Sequence, residues 1–345
     1  MSKKNICLVG LGSIGLTHLG HISNKFNNIL IIDKNIEVVE KAEKLLGSKK
    51  FYFTTNIKNI NKDFGLDYAV IANWGPDHFK TLELLQCLGI KNYIIEKPIT
   101  DSIADLFRIK HLREKNSLRI FVNFQWSYSP LLNTIKKISI KYKLGRLVTI
   151  NVTGGAKCIA TNGIHYLDLA NSLFSASPIQ VISSLYNSEI NPRRKHFLFL
   201  GGSASWEYSD NRYLNINFSN ESRISPSMEM IFEFGAGTIK GDNLVIERLD
   251  DKSLLKYSSI TKTFYPSKRV YNGKAFTFSD NTDGLSLIYK KLIKSNPSKD
   301  NFEDSFNSTL DFFGALVSNE KKRKISLPLK SSKFSYVYSR KWWIS

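Results

Sequence analysis

Three glycines near the start of the chain are spaced as in a loop that holds phosphates. They form the pattern G-x-G-x-x-G, which follows an apolar run at residues 6–9 and precedes a segment of helical pattern. The first glycine allows a tight turn, the second lets a pyrophosphate approach the backbone, and the third lets the helix pack on the strand. The amino end of that helix offers free N–H groups and a positive dipole. The residues expected to form this dinucleotide site are Gly10, Gly12, Ser13, Ile14 and Gly15.

A carboxylate placed 18 residues after the last of these glycines indicates which dinucleotide binds. Asp33 closes the second apolar run, at residues 29–32. A carboxylate at this place accepts hydrogen bonds from both ribose hydroxyls and repels the 2′-phosphate of NADP. The neighbouring Lys34 softens that repulsion. We therefore expect NAD as the cofactor and NADP as the less favoured one. The competing interpretation is a glycine turn in an α/β protein that has no cofactor.

The elements that would position these residues alternate along the first third of the chain. The predicted strands there are 6–9, 29–32, 51–53, 68–72, 93–95 and 119–124, and the predicted helices are 16–26, 36–46, 76–88 and 103–115. Continuous apolar strands separated by helices indicate βαβ units and a parallel sheet covered on both faces. We therefore expect an α/β Rossmann domain.

The pattern changes near residue 146. Alternation of apolar and polar residues predicts strands at 147–152, 213–218, 228–234 and 244–246, a turn at 235–238, and helices at 285–293 and 302–317. Such alternation is typical of an antiparallel sheet with one covered face. The predicted fold is a Rossmann domain at 1–123 followed by an α+β domain with a largely antiparallel open sheet at 124–330.

The last residues, 331–345, form an aromatic tail that contains Trp342 and Trp343. We expect this tail to be ordered. It could pack on the second domain, bridge subunits or border the binding pocket, and the sequence does not choose among these.

Composition excludes several classes of protein. Hydrophobic residues make up 42% of the chain and charged residues 23%, which excludes wholesale disorder. The cysteines, Cys7, Cys87 and Cys158, form no CxxC pair, so we expect neither a disulfide framework nor a metal site. The chain contains no signal-peptide pattern and no apolar run of membrane-spanning length. We expect a cytoplasmic protein that does not span a membrane.

The charge of the chain raises the question of nucleic acid. Lys and Arg number 49 and Asp and Glu number 30, which gives a net charge of +19. A nucleic-acid protein needs both a basic patch and a recognised module. The chain has no such module and no block of six like charges, so we expect no nucleic-acid partner.

The glycine loop, the tripeptide Glu96-Lys97-Pro98 and residues 163–168 together resemble the glucose–fructose oxidoreductase, inositol dehydrogenase and rhizopine catabolism (Gfo/Idh/MocA) family. Residues 71–78 resemble the family's loop after the fourth strand, and the resemblance extends to residues 325–328. It implies a two-domain NAD(P)-dependent oxidoreductase that acts on a sugar, cyclitol or related small molecule. It also implies a homodimer or homotetramer.

The resemblance assigns further residues to the cofactor and to the reaction. The residues that it adds to the cofactor site are Asn73, Trp74, His78, Glu96, Lys97 and Pro98. Lys97 closes the fifth predicted strand, where ligands bind in an open α/β sheet. Its ammonium group could donate a hydrogen bond to a substrate hydroxyl and stabilise an alkoxide while hydride leaves the carbon. A solvated loop lysine is the competing interpretation.

His165 is the second candidate for acid–base chemistry. The pKa of a histidine lies near neutrality, so its imidazole can take or give a proton. By resemblance it is the acid–base partner of Lys97, and Asp168 could orient its ring. The competing interpretation is a histidine satisfied within the core.

Several positions depart from the family pattern. Thr161 stands where most dehydrogenases of the family carry an aspartate, and threonine cannot accept a proton at neutral pH. Arginine is frequent in the family where Trp126 or Ser127 stands. Trp126 could stack on a sugar ring and Gln125 could bind its hydroxyls, or both could belong to the domain junction. Lys157 could hold an anionic group. The predicted substrate-binding residues are Lys97, Gln125, Trp126, Lys157, Thr161 and His165.

Two hypotheses about function follow. The first is an NAD(H)-dependent oxidoreductase that interconverts alcohol and ketone on a sugar, amino sugar, nucleotide sugar or cyclitol, including those of surface-carbohydrate biosynthesis. The second is a non-catalytic NAD-binding sensor or subunit of the same fold.

Overall fold

The apolar runs of the first third fold as parallel strands, and the alternating runs that follow fold into a second sheet. The computed structural model describes residues 4–47, 49–155, 157–187, 198–250, 266–274, 281–294, 299–330 and 342, with backbone alone for 281–283. The strands are β1 Asn5–Val9, β2 Asn28–Ile32, β3 Phe51–Thr54, β4 Tyr68–Ile71, β5 Asn92–Ile95, β6 Arg119–Val122, β7 Leu147–Gly155, β8 Gln180–Asn187, β9 Leu200–Glu207, β10 Tyr213–Ser219, β11 Ser227–Phe232, β12 Gly235–Lys240, β13 Asn243–Leu249, β14 Ser267–Lys274 and β15 Ile325–Ser326. The helices are α1 Ser13–Ile22, α2 Ile36–Leu46, α3 His78–Gln86, α4 Ile103–Asn116, α5 Gln125–Tyr128, α6 Pro130–Lys141, α7 Ile164–Phe174, α8 Asn281–Ile293 and α9 Phe302–Lys321.

The described residues divide into two units. The first unit takes those of Met1–Phe124, Ser286–Phe306 and Ser335–Trp343, and the second takes those of Gln125–Leu285 and Asn307–Phe334. Most of α8 and the start of α9 therefore belong to the first unit.

The first unit contains a parallel sheet with the strand order β3-β2-β1-β4-β5-β6. The order reverses direction at β1 and β4, which pair with Ile6 beside Tyr68 and Val9 beside Ile71. All four residues of β4 are buried, as are the last four of β1. Burial on both faces is the reason that these strands are continuously apolar. The carboxyl ends of β1 and β4 thus meet at the switch point where open α/β sheets bind ligands.

Among the described residues, the second unit holds a nine-stranded sheet of order β14-β13-β12-β11-β7-β10-β9-β8-β15. Its pairs are antiparallel except for β7 with β10. The helix α9 covers one face, where the indole N–H of Trp206 donates to the carbonyl oxygen of Asp311 at 3.1 Å. Together with the first sheet, this arrangement confirms the predicted fold class.

The uncovered face of the second sheet carries a row of polar side chains. Ser205, Asn215, Asn151 and Glu229 lie opposite one another on β9, β10, β7 and β11. Their side chains form a continuous row of hydrogen bonds of 2.7, 2.9 and 3.1 Å. An open cleft of about 770 Å³ lies over this row. None of the predicted site residues lines it.

The turn predicted at residues 235–238 is wrong. These residues form most of β12, and the turn lies at residues 233 and 234. The glycines there serve packing, since a Cβ on Gly237 would lie 2.8 Å from Ile246 Cδ1 and 3.1 Å from Met230 Cε. Small residues in a strand are easily mistaken for a turn when the partner strands are unknown.

Three further observations concern the tail, the length of the helices and the cysteines. The tail lies outside the described residues except for Trp342, which is buried and whose N–H donates to the carbonyl oxygen of Asp101 at 3.1 Å. No helix within the described residues is both long and apolar enough to cross a bilayer. The three cysteines are free thiols, with Cys7 and Cys158 buried and Cys87 exposed.

Candidate functional site

The glycine loop connects β1 directly to α1, and each of its three glycines has its own steric reason. Gly10 has a positive φ of 91°, and a Cβ there would lie 2.7 Å from the backbone nitrogen of Asn73. A Cβ on Gly15 would overlap the carbonyl oxygen of Gly10. These two glycines thus let the loop pass close to β4 and to α1.

Gly12 has a different environment, because no described residue has an atom within 4 Å of the position of an added Cβ. Gly12 is also the N-cap of α1, and no side chain caps the helix there. Ser13 and Ile14 form the first turn, and the N-cap residue offers their N–H groups no side-chain acceptor. An uncapped helix terminus beside a bare backbone is suited to an anionic pyrophosphate. The residues present fit a dinucleotide.

Asp33 is held beside this loop. Its Oδ2 accepts a hydrogen bond from the backbone N–H of Leu11 at 2.7 Å, and its Oδ1 accepts one from that of Asn35 at 2.9 Å. Each carboxylate oxygen has a further lone pair. The carboxylate is therefore fixed in place and can still accept from ribose hydroxyls.

Lys34 is engaged by two neighbours. Its ammonium nitrogen lies 3.9 Å from the centre of the Trp74 ring and 3.9 Å from the Asp77 carboxylate. Trp74, a predicted cofactor residue, thus lies within reach of the residue next to Asp33. All of these side chains are partly exposed, so the pairing is weak and can be broken.

Asn73 and His78 organise the loop after β4. His78 is buried, with Nε2 3.1 Å from the carbonyl oxygen of Asn73 and Nδ1 3.0 Å from that of Ile99. Burial lowers the pKa of His78. The amide nitrogen of Asn73 donates to Thr81, and its Oδ1 is buried without a hydrogen-bond partner in the described part of the chain. A buried acceptor left open beside the glycine loop is a second feature that fits a bound ligand.

Glu96 lies in a buried polar network at the carboxyl end of β5. Its Oε1 lies 2.8 Å from Nε2 of His18 and accepts a hydrogen bond of 2.6 Å from Nδ2 of Asn123. The other ring nitrogen of His18 lies 2.7 Å from the hydroxyl of Tyr289. Burial would raise the pKa of Glu96, but the hydrogen bond and charge of His18, the charge of Lys97 and the hydrogen bond of Asn123 bring it below its ordinary value.

Sequence reasoning missed His18 and Tyr289. His18 follows Gly15 by three residues, and both lie on the buried face of α1. A histidine among apolar residues on that face was the available signal. No such signal exists for Tyr289, because no sequence pattern near α8 indicates that this helix packs in the first unit.

Lys97 follows this carboxylate and is partly exposed. The next residue, Pro98, is buried, and the peptide bond between them is cis. Lys97 thus lies at the carboxyl edge of the parallel sheet, as the glycine loop does.

The second unit brings together His165 and Trp126. His165 lies in the first turn of α7 and is 6% exposed. The Trp126 ring lies 4.9 Å from that of His165 at 32°, and 4.6 Å from that of Tyr166 at 74°. Trp126 therefore packs against the imidazole. Gln125 begins the same short helix, α5, and is partly exposed.

Asp168 connects three segments of the second unit. Its Oδ1 accepts a hydrogen bond of 3.1 Å from Ser308, and its Oδ2 accepts one from Ser127. Thr161 lies in a turn of π-helix, Ile159–Gly163, where its hydroxyl oxygen accepts from Asn162 at 3.2 Å. Lys157 is partly exposed between β7 and this turn. Among the residues described, no group of three or more His, Cys, Asp or Glu side chains could hold a metal.

Comparison with known proteins is consistent with this geometry. Residues 4–124 match the oxidoreductase family GFO_IDH_MocA, which has an NAD-binding Rossmann fold. Glucose-6-phosphate 3-dehydrogenase of Bacillus subtilis is 28% identical over 152 residues, which cover 43% of this chain and 41% of the relative. Inositol 2-dehydrogenase 1 of Mycolicibacterium vanbaalenii is 24% identical over 208 residues, which cover 54% of this chain and 59% of the relative. The chain thus matches only about half of the length of these relatives.

The fold is shared over nearly the whole chain. The WlbA dehydrogenase of Bordetella pertussis, solved with NADH and UDP-GlcNAcA, superimposes with a TM-score of 0.71 at 18% identity, and the match covers 95% of this chain and 100% of that one. The glycine loop, the strand order and the family match agree. Residues 4–124 therefore resemble the NAD-binding Rossmann fold of the Gfo/Idh/MocA oxidoreductase family.

Proposed function

We propose that this protein is an NAD(H)-dependent oxidoreductase that interconverts alcohol and ketone on a sugar, amino sugar, nucleotide sugar or cyclitol. The observation that carries the proposal is the bare, uncapped amino end of α1 at Gly12, with the fixed Asp33 carboxylate nearby. The catalytic relatives are dehydrogenases of a sugar phosphate and of inositol, which supports the substrate class.

The coenzyme would be held by residues of the first unit. The amino end of α1 would bind the pyrophosphate, Asp33 would accept from the ribose hydroxyls, and the loop of Asn73 and Trp74 would contact the adenosine half. When bound, the coenzyme supplies the acceptor or donor of hydride.

NAD is proposed over NADP for two reasons. The Asp33 carboxylate repels a 2′-phosphate. Lys34, which could neutralise such a phosphate, lies against Trp74 and Asp77.

The substrate would be held by positively charged side chains, by neutral hydrogen-bonding groups and by an aromatic ring. In this proposal the Lys97 ammonium donates a hydrogen bond to the reacting oxygen and stabilises its negative charge as it develops. His165 takes or gives the hydroxyl proton. Trp126 fixes the His165 ring through their stacked contact, Gln125 and Thr161 offer hydrogen bonds to hydroxyls, and Lys157 offers a positive charge for an anionic group.

The proposal is tested by following NADH absorbance with a panel of compounds. The panel holds glucose 6-phosphate, myo-inositol and UDP-linked amino sugars and uronic acids, each offered with NAD and with NADP. We expect turnover of at least one member with NAD, and loss of that turnover in Lys97→Met.

A second candidate function is favoured by Thr161, which cannot replace a carboxylate in proton transfer. In that case the protein binds NAD(H) as a sensor or subunit and does not catalyse. Tight NADH binding without turnover of any compound in the panel would support this candidate and exclude the first.

A further inference from the structure

A cluster of buried polar side chains in the first unit surrounds Glu96, and the proposed function uses only part of it. His18 and Tyr289 are 0% exposed, Asn123 is 2% exposed and Glu96 is 5% exposed. They come from α1, from α8 and from the carboxyl ends of β6 and β5. Four elements thus converge on one carboxylate that directly precedes Lys97.

The hydrogen atoms of this network follow from the chemistry of the groups. An ionised carboxylate only accepts, so Nε2–H of His18 donates to Glu96 Oε1 over 2.8 Å. The Tyr289 hydroxyl either donates to Nδ1 of a neutral imidazole or accepts from an imidazolium over 2.7 Å. Burial raises the pKa of Tyr289 well above its ordinary value, so this phenol keeps its proton. Both His18 and Asn123 donate to Oε1 of Glu96, and such hydrogen bonds are stronger when the acceptor carries a negative charge.

That charge depends on His18. A buried carboxyl without partners takes up a proton, because burial disfavours its ionised form. Around Glu96 the titratable groups are His18 from α1, His78 from α3, Tyr289 from α8 and Lys97 itself. Burial keeps His78 and Tyr289 neutral, and of these titratable groups His18 is the one with a hydrogen bond to the carboxylate, beside the amide of Asn123.

We propose that His18 is a positioning residue, which holds Glu96 as a fixed carboxylate directly before Lys97 so that the Lys97 side chain stays protonated. The inference rests on the proposed function, in which the Lys97 ammonium is the donor to the substrate. His18 acts through Glu96 and need not touch coenzyme or substrate.

The test measures the proton equilibrium of Lys97 without any ligand. Full-length protein is labelled with trace acetic anhydride across a pH series, and the acetylated fraction of Lys97 is read by mass spectrometry. His18→Leu keeps the approximate size of the side chain and removes the donor to Glu96. His18→Gln returns an N–H near the place of Nε2. Tyr289→Phe removes only the contact on the opposite ring nitrogen.

In His18→Leu we expect the midpoint of Lys97 labelling to fall by about 1 pH unit. At any pH well below both midpoints, the variant then holds about tenfold more Lys97 as the free amine than the wild type does. His18→Gln and Tyr289→Phe keep the midpoint of the wild type. An unchanged midpoint in folded His18→Leu would overturn the inference, and so would an equal shift in all three variants.

Glu96→Gln covers the case in which His18→Leu does not fold. It removes the charge and keeps a polar side chain in the network, so its midpoint also falls, and an unchanged midpoint overturns the inference. The two proposals fail separately. A wild-type protein that binds no NADH rejects the proposed function, whereas NADH binding with an unchanged midpoint rejects only the role of His18.

Discussion

At the scale of single residues, the end of β2 places a carboxylate and an ammonium side by side. Asp33 is fixed by the N–H groups of Leu11 and Asn35, whereas Lys34 makes exposed contacts with Trp74 and Asp77. The fixed Asp33 carboxylate interacts with a bound coenzyme without losing side-chain entropy. Lys34 would first have to leave Trp74 and Asp77 and would then lose side-chain entropy on binding, so its interaction is weaker.

Asp33→Ala is expected to weaken NADH binding by about tenfold or more, since a hydrogen bond to a charged group is worth about 1.5–3 kcal/mol. NADPH binding should change by less, because the repulsion of its 2′-phosphate is lost at the same time. Fluorescence titration of both coenzymes measures the ratio. Asp33→Asn is the control, since its side chain can still accept from Leu11. An unchanged NADH to NADPH ratio in Asp33→Ala would refute the ribose assignment.

Lys97→Met is expected to lower kcat by about 10² to 10³-fold on any substrate found in the panel, which is the usual loss when one donor to a developing negative charge is removed. NADH affinity should stay within about threefold, because the methionine keeps the length of the side chain. Steady-state rates and a binding titration of the same preparation separate the two effects. Turnover at the level of the wild type would remove Lys97 from the reaction.

At the scale of elements, α9 carries a buried acid into the second unit. Asp311 is 3% exposed, and burial raises its pKa from 3.8 to about 8 despite a hydrogen bond from Asn171. In the unfolded chain this carboxyl is ionised above its ordinary pKa, whereas in the folded protein it keeps its proton up to about pH 8. Between pH 3.8 and about pH 8, unfolding therefore releases a proton from Asp311. The contribution of this carboxyl to the free energy of unfolding is most favourable at low pH and falls as the pH rises through this range.

Asp311→Asn should remove this dependence. Between pH 4 and 8 the free energy of unfolding of the wild type should carry a falling contribution of up to about 1.4 kcal/mol per pH unit, and the variant should lack it. Urea denaturation at a series of pH values measures the difference. Parallel curves for the two proteins would show that Asp311 is already ionised in the folded state.

The elements that the sequence predicts best are those with local signals. The range of α2 is predicted to the residue, since Asn35 caps its start and Gly47 ends it with a positive φ. The glycine loop also lies where its pattern places it. Both depend on neighbours within a few residues, so the chain itself contains the needed information.

The elements and contacts that the sequence does not predict depend on partners distant in sequence. The helix α6, which the sequence analysis does not predict, begins at Pro130, and the Ser129 hydroxyl caps it by accepting from Leu131. The strands β8 and β9 were not predicted, because Gly201, Gly202 and several serines weaken their pattern. Tyr289 reaches His18 across 271 residues, and no local pattern could reveal that contact.

At the scale of the whole molecule, the uncovered sheet face bears on self-association. The row of Ser205, Asn215, Asn151 and Glu229 makes this face polar and internally hydrogen-bonded. An interface here would gain little from the hydrophobic effect and would depend on hydrogen bonds and shape. We retain the proposal of a homodimer or homotetramer, as the family resemblance implies.

Sedimentation velocity at micromolar concentration is expected to show a dimer or tetramer. Because the face is polar, the assembly should change little with moderate salt if hydrogen bonds between neutral groups dominate. A single monomeric species at every concentration would reject the proposal.

The central claim is that the amino end of α1 binds a nicotinamide coenzyme, and isothermal calorimetry of the full-length protein with NADH and NADPH tests it most directly. We predict one site per chain with NADH bound more tightly, loss of binding in Gly12→Ala, and retained binding in Gly20→Ala, where an added Cβ also meets no described atom but lies in the interior of α1. No binding of any oxidised or reduced nicotinamide coenzyme, or equal binding by Gly12→Ala, would contradict the account.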